Sequence, residues 1–216
     1  MGINFLIIDD HPMIIEGYLA ILKKIFPSAM YHRASNIQTA IEISEKLPYV
    51  DYILVDYNLQ DQNEQHKIYN GIDLTNWLRG RFSTAKFFII TAHEEVAIIY
   101  NIHKKADPHA LLIKSDLSGG SFKEAFKEIE NGMLYRTPKA AHALILSNQK
   151  DVLLQDKDNN LQIIMLLNQG YQIQELPDLL HKSLSTIQRS VAALKKAFNV
   201  TDNGRLLLEA KNQGFI

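Results

Sequence analysis

Four short apolar runs end in residues able to do chemistry. The run at residues 3–8 ends in Asp9-Asp10, and that at 52–55 ends in Asp56. The run at 87–90 ends in Thr91, and that at 110–113 ends in Lys114. If the runs are strands, three carboxylates, a hydroxyl and an ammonium stand at strand C-termini. In an open parallel sheet those ends line the ligand crevice. Converging carboxylates repel one another, and a bound cation relieves that repulsion. Three of them suit a hard divalent cation, and a lysine beside them suits a phosphoryl group. For Mg²⁺ the all-oxygen shell would comprise Asp10, Asp56, the backbone carbonyl of Asn58, waters and a phosphoryl oxygen, with Asp9 adjacent.

The elements that must position these groups are legible as alternating periods. Strand signals fall near residues 3–8, 29–33, 52–56, 86–91 and 110–114. Helical periods fall near 12–26, 36–47, 71–81, 94–105 and 118–131. Asn36 and Ser118 are placed to cap the second and fifth helices. Strands alternating with helices predict an α/β fold over residues 1–132, a flavodoxin-like, doubly wound, five-stranded parallel sheet. The connection at 57–71 is unusual, because such connections commonly run about 2–6 residues. A polar loop this long beside Asp56 is expected to be functional or mobile. The pattern changes after Asn131-Gly132. Residues 133–156 read as a linker, interrupted at Pro138 and partly helical near 139–147. Residues 157–216 read as a small all-α domain. Within it, a short helix from Pro177 to His181, a break at Lys182-Ser183 and a longer helix to Phe198 make a helix-turn-helix. Ser183 caps the longer helix, along which Ile187, Val191, Leu194 and Phe198 repeat at helical spacing.

Bulk properties narrow the function classes. The chain has 216 residues, with 46% hydrophobic and 22% charged side chains, ordinary values for a globular protein. It has no cysteine, which excludes disulfides, thiolate metal sites and cysteine nucleophiles. No apolar run reaches the length of a membrane span, and the amino terminus reads as a strand rather than a signal peptide. A cytoplasmic protein with no membrane partner is expected. The net charge of -1 gives no global support for nucleic-acid binding, so any such binding must rest on a local patch. Taken singly, an aspartate at a strand end is often a turn residue, Thr91 a strand-end residue and Lys114 a solvated charge. The set is what points to a site. His11, His93 and His109 lack zinc-like spacing and read as surface or loop residues, and Trp77 reads as packing for the third helix.

Ile7-Ile8-Asp9-Asp10-His11-Pro12, Val55-Asp56-Tyr57-Asn58-Leu59, Ile90-Thr91-Ala92-His93 and Leu112-Ile113-Lys114 together resemble the receiver domain of two-component response regulators. The resemblance spans about residues 1–132. It implies that Asp56 accepts a phosphoryl group from a cognate sensor histidine kinase, forming an aspartyl phosphate. It implies that Asp9 and Asp10 hold Mg²⁺, that Lys114 pairs with the phosphoryl oxygens, and that Thr91 moves to hydrogen-bond the phosphate. Such a protein is a switch and not an enzyme, catalysing only its own phosphorylation and dephosphorylation. The chain departs from the family at Leu111, where a switch aromatic usually stands. It departs again at Gln60 and Ser115, where prolines are common, and in the length of the 57–71 loop.

The C-terminal segment resembles the LuxR/FixJ (NarL-like) helix-turn-helix group at Leu166-Leu167-Asn168-Gln169-Gly170, Glu175-Leu176, Leu180, Ser183, Thr186-Ile187 and Phe198-Asn199-Val200. That resemblance implies DNA binding by the helix at about 184–198. Its exposed polar residues are Ser185, Gln188, Arg189, Lys195 and Lys196. Gln188 suits an adenine edge and Arg189 a guanine or a phosphate, whereas Lys182, Lys195 and Lys196 suit phosphates. The leucine-threonine and arginine-glutamate opening of the group is absent. Pro177, Ser190, Val191 and Ala193 also depart from it. Over residues 160–216, basic side chains exceed acidic ones by two. A DNA-binding response regulator that forms a homodimer on activation is the leading expectation. The alternative is a degenerate regulator whose helical module mediates protein interaction or dimerisation. A haloacid-type phosphatase would carry a second aspartate where Asn58 stands.

Overall fold

Apolar runs rich in β-branched and aromatic residues become the central strands, buried on both faces, and helices with an apolar stripe cover them. The structure is a computed structural model and describes residues 2–149 and 160–216. In chain order the first part contains β1 (Asn4–Ile8), α1 (Pro12–Ile25), β2 (Met30–Ala34), α2 (Ile37–Lys46), β3 (Tyr52–Asp56) and α3 (Gly71–Arg81). It continues with β4 (Lys86–Thr91), α4 (Val96–Ala106), β5 (Ala110–Ile113), α5 (Gly119–Glu130), β6 (Tyr135–Arg136) and α6 (Pro138–Gln149). The strands form a single sheet in the order β2-β1-β3-β4-β5-β6, and every pair is parallel.

The two sheet faces bury separate cores. On one, Ile15, Leu19 and Leu22 of α1 and Phe122, Phe126 and Ile129 of α5 pack on Phe5, Ile7, Leu54 and Phe88. The Phe126 ring meets Phe5, Tyr52 and Phe88 at centroid distances of 4.8–5.8 Å. On the other, Ile37, Ala40 and Ile41 of α2 and Leu74 and Leu78 of α3 pack on Leu6, Ile8, Ile53 and Val55. The expected caps form. Asn36 accepts from the Thr39 N–H at 2.7 Å and Ser118 from the Ser121 N–H at 3.1 Å, each within a reciprocal capping box.

The sheet has six strands where five were expected. The sixth has two residues, too few to show an alternating pattern. It is held by side chains. Tyr135 buries its ring with the α5 residues, and Arg136 donates to the carbonyls of His109, Tyr135 and Pro108 at 2.7–3.1 Å. Both β6 and α6 lie in the stretch read as a linker. Pro138 opens α6 instead of breaking the chain, since proline's fixed φ suits a first helical turn. Residues 150–156 of the expected linker lie outside the described residues.

The remaining helices are α7 (Asn160–Asn168), α8 (Leu176–Leu180), α9 (Leu184–Ala197) and α10 (Asn203–Asn212). Their core joins Ile163, Leu176, Leu180, Ile187, Val191, Leu194 and Leu206 with Phe198 and Phe215, whose rings meet edge to face at 5.4 Å. Ser183 caps α9 by accepting from the Thr186 N–H at 3.2 Å. By compactness the chain divides into residues 1–93 with 102–140, and residues 94–101 with 141–216. Among the described residues no helix is long and apolar enough to cross a membrane.

Candidate functional site

The C-terminal ends of β1, β3, β4 and β5 bring together the polar residues singled out from their positions. Asp9 follows β1 and is wholly buried, whereas Asp10 is partly exposed. Asp56 closes β3 and is 3% exposed. Lys114 follows β5 and its ammonium lies between the two buried carboxylates, 3.0 Å from Asp9 Oδ2 and 2.7 Å from Asp56 Oδ1. Thr91 closes β4, buried, with its hydroxyl accepting from the His93 N–H at 3.0 Å. Leu111 lies fully buried within β5, paired with Ile89 of β4.

Local backbone geometry fixes the carboxylates. Asp9 Oδ1 accepts from the His11 N–H at 2.9 Å, and Asp56 Oδ2 accepts from the Asn58 N–H at 3.0 Å. Each is a residue-to-second-neighbour turn of the kind that aspartate forms readily. The electrostatics follow from burial. Burial pushes the Asp56 carboxyl above its ordinary value of 3.8. The Lys114 hydrogen bond and charge only partly offset that, and the Asp9 charge adds to it. Burial alone would lower Lys114, but its hydrogen bonds and ion pairs with Asp56 and Asp9 outweigh it, and its pKa rises above 10.5. The lysine therefore offsets part of the cost of burying the Asp56 charge.

Asp9, Asp10 and His11 offer ligand atoms within 4.8 Å of one another, with His11 Nδ1 2.6 Å from Asp10 Oδ1. The donor chemistry fits a hard cation. Asp9, Asp10 and Asp56 are oxygen donors, and the His11 side chain, 57% exposed, lies at the outer edge of the group. A metal that binds only the folded chain stabilises it by mass action. At ten times its dissociation constant, Mg²⁺ should add about 1.4 kcal/mol to unfolding stability, and EDTA should remove it. Thermal unfolding with Mg²⁺ or EDTA measures this, and a melting temperature indifferent to Mg²⁺ would contradict it.

The loop after Asp56 is tied to its surroundings by backbone, core and side-chain contacts. Asn63 and Ile68 form an antiparallel bridge, with reciprocal hydrogen bonds of 2.8 and 3.0 Å. Leu59 and Ile68 enter the core beside α2 and α3. Asp61 accepts from the Ile37 N–H at 2.7 Å, and Trp77 packs against the His66 ring at 5.4 Å. At the rim of the site the Asn58 amide lies 3.0–3.1 Å from His93 Nε2, joining the loops after β3 and β4. Tyr57 meets the His93 ring edge to face at 5.6 Å. His93 thus lies in a loop, as read from the sequence, half-buried at the site's rim. His109 is also half-buried, and its Nδ1 accepts from the Phe87 N–H at 3.1 Å.

Sequence pattern missed a further residue. Gly71 begins α3 against the chain that follows Asp56. A Cβ there would stand 2.3 Å from the Asp56 carbonyl oxygen and 2.8 Å from Tyr57 Cα. A glycine directly after the capping residue Asn70 was the available signal.

In the C-terminal helices, Ser185, Gln188, Arg189 and Lys196 stand on the exposed surface of α9, with Lys195 half-exposed. Lys182 is half-exposed in the turn before it. Ser190 and Val191 face the core.

The family model for the response regulator receiver domain matches residues 5–115. The chain is 22% identical to the transcriptional regulatory protein DegU of Brevibacillus brevis, over 99% of this chain and 95% of the relative. Among solved structures it resembles RcsB from Salmonella enterica serovar Typhimurium bound to promoter P1flhDC in the presence of the phosphomimetic BeF3-. There the TM-score is 0.68 at 18% identity, covering 97% of this chain and 98% of the other. It also resembles a structure of two RcsB dimers bound to two parallel DNAs, with a TM-score of 0.67 at 16% identity and 98% of each chain covered. At these identities the structural likeness establishes the fold.

Proposed function

Because the chain belongs to the response regulator receiver family, we propose that it is a cytoplasmic, DNA-binding response regulator of a two-component system, phosphorylated on Asp56. The observation that carries this reading is the Lys114 ammonium set between the buried carboxylates of Asp9 and Asp56. A carboxylate oxygen of Asp56 attacks phosphorus. The bond from phosphorus to the kinase histidine nitrogen breaks, and that nitrogen keeps the electron pair. Asp9, Asp10, Asp56 and the Asn58 carbonyl would hold Mg²⁺, which when bound neutralises charge on the transferring group. Lys114 exchanges its carboxylate partners for phosphoryl oxygens. Thr91 turns its hydroxyl from the His93 N–H toward the phosphate, so that new contacts bias a two-state element. Leu111 fills the position of the usual switch aromatic, which leaves Thr91 to carry the transition. Neither arrangement gives the chain turnover of an external substrate.

The output would be DNA binding by α9 in a phosphorylation-promoted homodimer reading two half-sites. Ser185, Gln188 and Arg189 would face base edges, and Lys182, Lys195 and Lys196 phosphates. The modest surplus of basic groups favours one competing reading, a helical module that binds protein. Salt-dependent retention on genomic DNA, with and without a small phosphodonor, separates the two. Binding should fall steeply with salt. Arg189→Ala should cost about 1–3 kcal/mol if it reads a base. Lys195→Ala should lower the salt slope by about one. No salt-dependent retention in either state would overturn the DNA reading.

A further inference from the structure

The turn that carries Lys114 is bracketed by the start of α6. Lys114, Ser115 and Asp116 form a single 3₁₀ turn, closed by the Leu117 N–H donating to the Lys114 carbonyl at 3.2 Å. On one side of Lys114, the Ile113 N–H donates to the Thr137 hydroxyl at 3.1 Å. On the other, Asp116 Oδ2 accepts from the Lys139 N–H at 2.8 Å, and Lys139 Nζ donates to the Ser115 hydroxyl at 2.9 Å. Thr137 directly precedes α6, the position whose side chain usually caps a helix by accepting from its second or third N–H. Here that hydroxyl, wholly buried, serves the last residue of β5. The second N–H of α6, that of Lys139, takes its acceptor from Asp116, 23 residues earlier. The end of β5 is thus completed by the residue before α6, and the start of α6 by the Lys114 turn. Ser121 of α5 donates to the Asp116 carbonyl at 3.0 Å and holds the turn from a third side. A turn this short, held at so many points, passes a displacement on to its partners.

We propose that Thr137 and Asp116 are positioning residues of Lys114 that tie it to the start of α6, so that a phosphoryl group on Asp56 and the docking of α6 stabilise each other. This rests on the phosphoacceptor reading above. The Lys114 ammonium lies 3.0 Å from Asp9 Oδ2 and 2.7 Å from Asp56 Oδ1, and it is the group whose partners change when phosphate arrives. Neither Thr137 nor Asp116 touches phosphorus. A phosphoryl group that fixes the ammonium also fixes the turn, and the turn holds the first N–H groups of the helix from which the chain runs on to the C-terminal module. The path acts beside Thr91, in a chain whose switch aromatic is replaced by Leu111.

The test is amide hydrogen exchange of the full chain in excess Mg²⁺, with beryllofluoride titrated in as the phosphoryl mimic. In the native protein, beryllofluoride should slow exchange both in the chain following Asp56 and at the start of α6, the latter about threefold to tenfold, the worth of one hydrogen bond. Asp116→Ala deletes the acceptor of the Lys139 N–H, and Thr137→Val deletes the hydroxyl at nearly constant shape. In both, the slowing at α6 should vanish. Coupling between two sites is reciprocal, so both should also need about threefold to tenfold more beryllofluoride for half-maximal protection around Asp56. A bond that merely holds the helix would leave that affinity at its native value. Asp116→Asn, whose amide oxygen can still accept from the Lys139 N–H, should keep both responses. Protection around Asp56 with no change at α6 in the native protein overturns the inference, as does a native beryllofluoride affinity in Asp116→Ala and Thr137→Val. Either of those results leaves the phosphoacceptor reading standing. A native protein that responds nowhere to beryllofluoride and takes no phosphoryl group from acetyl phosphate overturns both.

Discussion

Gly71→Ala should both destabilise the first domain and slow phosphorylation of Asp56. Alanine is the better helix former by about 1 kcal/mol, so propensity alone predicts stabilisation. Sterics decide otherwise. The added Cβ would meet the Asp56 carbonyl oxygen at 2.3 Å and Tyr57 Cα at 2.8 Å. Both are backbone atoms. The backbone on either side is tied by the Gly71 N–H to the Tyr57 carbonyl at 3.1 Å and by the Tyr57 N–H to the Ile90 carbonyl at 2.8 Å. Relief therefore requires α3 to move off the sheet or the end of β3 to shift. Overpacking of this kind costs about 1–3 kcal/mol. A displacement of about 1 Å at a nucleophile can cost about 10²-fold in rate. The urea midpoint and the rate of labelling by acetyl phosphate should fall together. A Gly71→Ala protein as stable and as quickly labelled as the native one would show that the close approach does not constrain the site.

Much of this arrangement was legible in the sequence, for a physical reason. A strand buried on both faces is an apolar run, so a polar residue that ends it is conspicuous. Asp9, Asp56, Thr91 and Lys114 were each found in that way, and the parallel topology brings them to one edge. Caps were equally readable, because Asn36, Ser118 and Ser183 act within three residues of their own positions. What pattern did not reveal depends on partners distant in sequence. The strand β6 exists because Tyr135 and Arg136 find α5 and the chain at 108–109, not because two residues favour extension. The 57–71 loop read as functional or mobile from its length and polarity, which do not reveal its anchors. Asp61 caps α2, and Ile68 fills the core. His93 joined the rim through Asn58, a pairing across 35 residues.

The second large effect is expected at Asp56 itself. Asn replaces the carboxylate with an amide of the same shape, whose oxygen can still accept from the Asn58 N–H. The nucleophile is lost while the fold is kept. Stability should not suffer. Burial and the Asp9 charge hold the Asp56 pKa above 3.8, so its ionised form is less favourable in the folded chain than in the unfolded one. Between 3.8 and its raised value the native state carries the extra proton, and stability falls as pH rises through that window. Asp56→Asn should lack this fall, and at neutral pH it should unfold at the same urea concentration or a higher one.

The most direct test is the intact mass of the native chain and of Asp56→Asn after incubation with Mg²⁺ and acetyl phosphate. The native protein should gain one phosphoryl group, lose it slowly in buffer and fail to gain it in EDTA. Asp56→Asn should gain none. A native protein that gains nothing, or an adduct that survives Asp56→Asn, would contradict the assignment of Asp56 as phosphoacceptor.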